Sequence, residues 1–186
     1  GESTVLPIGT QVNRFEGVLD GQGNTVTYNK LADLEGNIGL IGNLANGATV
    51  ENLTVAGNIT VDHVYGRQVN VIGGIVGGVC CQSVSRTPHT TLISNCHNQA
   101  TIGAPDQRDG VLNFTTDRSA HVGGVVGAIW RSGQTDATEM VTIENCTNSG
   151  NIDGFISDQQ KCGTGGILGS CINKMSVVIN NCSNSG

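Results

Sequence analysis

Apolar residues in this chain come in short runs, mostly Val and Ile, framed by Gly, Asn, Asp and Ser rather than spaced at helical intervals. Three stretches show the pattern: Gly73-Gly74-Ile75-Val76-Gly77, Gly123-Gly124-Val125-Val126-Gly127 and Gly165-Gly166-Ile167-Leu168-Gly169. After a gap, each is followed by a second strand that closes on two Asn residues: Ile93-Ser94-Asn95-Cys96-His97-Asn98, Ile143-Glu144-Asn145-Cys146-Thr147-Asn148 and Ile179-Asn180-Asn181-Cys182-Ser183-Asn184. A degenerate earlier copy reads Gly39-Leu40-Ile41-Gly42, then Val50-Glu51-Asn52-Leu53-Thr54-Val55. No stretch holds a helical period for three turns, so the chain is expected to be all-β with almost no helix.

Repeats of this length predict a solenoid, because one unit cannot bury its apolar face until a neighbour stacks on it. The expected architecture is a β-solenoid with roughly one repeat per coil. The Asn anchors fall at 52, 95, 145 and 181, at unequal intervals, so insertions are carried by loops near 61–70, 83–90, 103–120, 131–139 and 153–162. Those loops hold most of the charge, and per-repeat insertions are where binding is expected.

Strict alternation through Ile143-Glu144-Asn145-Cys146 would expose the thiol and half-bury the amide. A bend at Asn avoids both, since Asn tolerates the left-handed backbone region. Asn95, Asn145 and Asn181 are therefore expected at a corner of each coil, with Cys96, Cys146 and Cys182 turned inward, each set forming a ladder at the ~4.8 Å strand spacing.

Residues 1–36 differ from the rest and read as an N-terminal cap and first coil, with 37–186 as the repeats. Within the former, Phe15 to Val26 reads as strand, Gly-rich turn, strand. The chain stops at Asn184-Ser185-Gly186 with no capping element, which predicts repeats continuing beyond that point or coils stacking end to end.

The Gly-Leu-Ile-Gly stretch at 39–42, the Gly-Gly-Ile/Val-Val-Gly strands and the Ile-x-Asn-Cys-x-Asn-Ser-Gly strands resemble the GLUG-type repeats of surface and secreted proteins, some of them adhesin-like. The Phe15-x-Gly-x-Leu-Asp-Gly-x-Gly-Asn-Thr-Val segment is similar to one that commonly precedes them. The resemblance covers nearly the whole chain and implies a right-handed parallel β-helix in an extracellular or cell-surface setting. The family is defined by scaffold residues, so no catalytic set is carried over.

Composition narrows the partners. With 28 Gly but one Trp, two Tyr and three Phe among 186 residues, the core must be thin and repetitive. The net charge of -6 is spread along the chain and the nine basic residues form no cluster, which argues against a nucleic-acid partner. No apolar run approaches a membrane span, and no cofactor is implied.

The seven Cys are odd in number and unevenly spaced, unlike a small secreted disulfide framework. The ladder Cys read as small buried hydrophobes. Cys80, Cys81, Cys162 and Cys171 lie at strand ends or loops and are the bridge candidates; metal binding has no supporting spacing. Of five Asn-x-Ser/Thr sequons, Asn58 and Asn113 are the glycan candidates, because Asn145 and Asn181 belong to the corners.

Catalysis finds little support. β-Helix lyases and hydrolases need clustered carboxylates on one outer sheet, whereas the strands here carry isolated Glu51 and Glu144. Asp106, Asp109 and Asp117 share an insertion with Arg108 and Arg118, which reads first as a solvated loop; the four His stand at no fixed offset from a nucleophile. The expectation is a non-enzymatic stalk or surface-binding scaffold that meets a cell-surface protein or glycan. Two other readings are a filament subunit stacking end to end and a carbohydrate-active enzyme with a loop carboxylate site.

Overall fold

The computed structural model describes residues 7–28, 37–60, 70–82, 89–103, 112–114, 120–132, 139–152, 155–157, 163–173 and 175–186. Among these the chain is all-β, its strand pairs are parallel and no helix occurs, an arrangement compatible with a β-helix or solenoid. Three sheets run along the stack. The first joins Val18–Tyr28, Thr49–Thr60, Thr90–Asn98, Met140–Glu144 and Ser176–Asn180; the second joins Asn37–Ile38, Asn70–Gly73, Ala120–Gly123 and Gly163–Gly165; the third joins Ile41–Ala45, Val76–Gln82, Val126–Ser132 and Leu168–Ile172. Each repeat therefore contributes one strand to each sheet, and the repeats 37–60, 70–103, 120–152 and 163–186 form four successive levels.

The pairing is in register, so equivalent residues form columns. Val50, Ile93, Ile143 and Ile179 make one; Ile38, Ile72, Val122 and Thr164 a second; Leu44, Val79, Ile129 and Cys171 a third. Through the first three levels these side chains are almost fully buried, and they form the core. A one-residue slip would turn every column to solvent, which is why short apolar runs suffice to fix the register.

Glycine sets the spacing between the second and third sheets. A Cβ at Gly77 would lie 2.8 Å from both the amide nitrogen and the carbonyl of Ile38, and one at Gly127 would lie 2.6 Å from the carbonyls of Ile72 and Gly77. The bend between the sheets is thus backbone against backbone, with no room for a side chain.

The N-terminal segment departs from the strand-turn-strand expectation. Val18–Tyr28 is one strand paired in parallel with Thr49–Thr60, interrupted by a register shift: Asp20 pairs Glu51, but Asn24 pairs Leu53, so three residues stand opposite Asn52. Gln22 and Gly23 adopt φ of 52° and 76°, which folds the extra residues into a bulge instead of a turn.

Candidate functional site

Asn52, Asn95, Asn145 and Asn181 all sit at positive φ, between 49° and 56°. At this corner the amides form an outer ladder: Asn95 Nδ2 donates to Asn52 Oδ1 at 3.2 Å, Asn181 Nδ2 to Asn145 Oδ1 at 2.7 Å, and Asn52 Nδ2 to Asp20 Oδ1 at 3.1 Å. Asp20 thus terminates the ladder. Its carboxyl is held below the ordinary carboxylate range by the Gln22 backbone N–H and then by the Asn52 amide.

The residue after each corner turns inward. Cys96 and Cys146 are fully buried and Cys182 half-buried. Their thiols lie 3.6 Å from carbonyls of the preceding level, at Val50, Ile93 and Ile143 respectively. The hydrogen bond that Cys96 shares with Cys146, followed by burial, pushes the Cys96 thiol up; burial does the same for Cys182.

A second Asn ladder runs inside. Asn98 Nδ2 donates to Asn148 Oδ1, and Asn148 Nδ2 to Asn184 Oδ1, both at 2.7 Å; Asn98 and Asn148 also bond the carbonyls of Ala100 and Gly150. Asn98 and Asn148 are essentially inaccessible. The sequence carried a signal for this ladder: wherever the second Asn occurs, a Gly-Gly pair precedes it in the same repeat. Repeat 1 has neither, with Gly39-Leu40 at its bend and Val55 paired to Asn98.

Beside the outer ladder lies a groove of about 500 Å³, lined by Asp20, Gln22, Gly23, Asn52, Leu53, Thr54, Asn95 and His97. The bulge supplies one wall. The in-register outward positions Thr54, His97, Thr147 and Ser183 continue past it along the stack, and His97 Nδ1 meets Thr147 Oγ1 at 2.9 Å.

A buried polar corner was not legible in the sequence. Glu139 falls in the expected 131–139 insertion yet is only 5% exposed, with Oε1 accepting from Asn46 Nδ2 at 2.7 Å across two levels. Its Oε2 and Arg14 Nε are buried without hydrogen-bond partners among the described residues. Both residues bear on Cys80, whose thiol burial pushes up and Arg14 pulls back down. Cys80 and Cys81 lie at the C-terminal end of strand Val76–Gln82, one of the strand-end positions expected for them, and both are buried.

The remaining sequence candidates are scattered. Cys80 and Cys171 carry free thiols, Cys171 exposed, and Cys162 lies outside the described residues. Asn58 is exposed in strand Thr49–Thr60; the Asn113 side chain and the carboxylates Asp106, Asp109 and Asp117 lie outside the described residues. Among the described residues, no group of three or more His, Cys, Asp or Glu is arranged to hold a metal, and no helix is long and apolar enough to cross a membrane. No family model, no curated protein and no solved structure matches the chain.

Proposed function

We propose that the chain is a rigid scaffold: a right-handed parallel β-helix at the cell surface or outside the cell, serving as a stalk or surface-binding support and not as an enzyme. The observation that carries this reading is the use made of the recurring polar side chains. Asn of the outer ladder, Asn of the inner ladder and Cys each bond to a counterpart or to backbone of a neighbouring level. The positions that repeat are therefore spent on stacking, while the outward column changes from level to level, reading Thr54, His97, Thr147 and Ser183.

Right-handedness is supported by the strong general preference of parallel β crossovers for that hand. The surface setting is supported by the resemblance of the Gly-Gly and Asn-Cys strands to GLUG-type repeats. The test displays the chain on beads and follows their attachment to cells, alongside release of reducing ends from a polysaccharide panel. Attachment without sugar release is expected; turnover of a polysaccharide without attachment would contradict the reading.

A further inference from the structure

We propose that the groove beside the outer Asn ladder binds a neutral, linear oligosaccharide laid parallel to the stacking axis, an inference that rests on the scaffold reading above. The groove is concave, and its volume of about 500 Å³ accommodates a short run of sugar units. Its polar groups are held in place before any ligand arrives. Asn52 is tied at both ends, donating to Asp20 and accepting from Asn95, and its φ of 56° is fixed by the corner. The ladder bonds use one N–H of each amide and leave a second. His97 is oriented through Nδ1 by Thr147, which leaves Nε2 as the other ring nitrogen available for hydrogen bonding.

The lining chooses among ligand classes. Among the described residues it contains the Asp20 carboxylate and neither Lys nor Arg, on a chain of net charge -6, so an anionic ligand is repelled. Asp20 already accepts hydrogen bonds from the Gln22 N–H and the Asn52 amide, which blunts its pull on a cation. The one apolar side chain in the lining, Leu53, is 2% exposed, so an apolar peptide anchor finds no partner. Amide, hydroxyl and imidazole groups suit a ligand of paired hydroxyls.

Periodicity selects a chain over a single sugar. Thr54, His97, Thr147 and Ser183 stand in register, about 4.8 Å apart, each presenting a hydroxyl or an imidazole. A ligand that repeats its hydroxyls along its length meets a similar set at each level, so weak contacts add within one molecule.

The test titrates the whole chain with maltohexaose, cellohexaose and mannohexaose by NMR chemical-shift perturbation and calorimetry, with glucose and polygalacturonate as comparisons. The variants are Asn95→Gly, which keeps the positive φ while removing the amide, and His97→Ala. At least one neutral hexamer should bind about tenfold or more tighter than glucose, and each variant should weaken it by about tenfold, the equivalent of one or two hydrogen bonds, with the far-UV spectrum unchanged. Absence of binding by all three hexamers at millimolar concentration, undiminished binding in both variants, or tighter binding of polygalacturonate overturns the inference. Should Asn95→Gly disturb the fold, His97→Ala alone decides. Bead attachment that persists when no hexamer binds would leave the scaffold reading standing and sink this inference alone.

Discussion

A Cβ placed on Gly74 would overlap both the side-chain amide of Asn98 and the carbonyl of Gly124. The glycine at the bend and the second Asn of the repeat thus occupy one shared space. The same relation recurs between Gly124 and Asn148 and between Gly166 and Asn184. Gly74→Ala should therefore destabilise the fold by about 2 kcal/mol or more, read as a drop in the denaturation midpoint. Because backbone as well as side chain is in the way, adding Asn98→Ala should fail to restore stability. Full rescue by that second change would show that the Gly124 carbonyl does not limit the site.

Asn148 is the middle member of the inner ladder, 1% exposed, bonded to Asn98, Asn184 and the Gly150 carbonyl. Truncation to Ala leaves the buried Asn98 amide donor on one side and the buried Gly150 carbonyl on the other without this partner. The expected cost is about 3 kcal/mol, measured by chemical denaturation. Asn52→Gly, on the exposed outer ladder and at a positive φ that glycine accepts, should cost well under half as much.

Thiol reactivity separates the Cys by level. Cys171 is exposed, whereas Cys80, Cys96 and Cys146 are buried. Among these four, iodoacetamide followed by peptide mapping should label Cys171 first in the native chain, and the other three only after unfolding. Although the residue is exposed, its thiol is partly covered, and that desolvation raises it above its ordinary value, so its labelling should still be accelerating above pH 9. Rapid native labelling of Cys96 would contradict its inward placement.

His121 is 5% exposed, its Nδ1 has no partner among the described residues, and burial lowers its affinity for a proton. The unfolded chain then binds the proton more readily than the folded one. Stability is full above the ordinary value of 6.5 and falls as pH drops from there toward the depressed folded value. His121→Gln should flatten this part of the stability profile, as followed by urea midpoints between pH 7 and 5; an unchanged slope would place the effect elsewhere.

How far the sequence reads ahead depends on what each residue answers to. The corner Asn and inward Cys follow from local backbone preference and alternation, so Asn95-Cys96 could be placed from four residues of context. The inner ladder answers to a glycine more than twenty residues away, at Gly74 for Asn98, and is visible only when the repeats are compared with one another. Glu139 falls at the edge of the 131–139 insertion, and its partner Asn46 is 93 positions away and two levels down, a distance no local pattern reports. The bulge at Asp20–Asn24 has the composition of a tight turn, and only its pairing with Thr49–Thr60 distinguishes the two. The groove needs both the bulge and the ladder, which is why it is absent from any single motif.

The stacking of successive repeats in parallel register underlies every part of this account. Paired cysteines on the outer face test it directly, since Thr54 pairs His97 while Thr147 stands one level further on. Under mild oxidation, Thr54→Cys with His97→Cys should form a disulfide detectable by peptide mass mapping, because neighbouring strands lie about 4.8 Å apart. Thr54→Cys with Thr147→Cys, about twice that distance apart, should remain reduced. Ready bridging of the second pair together with failure of the first would contradict the stacked parallel arrangement.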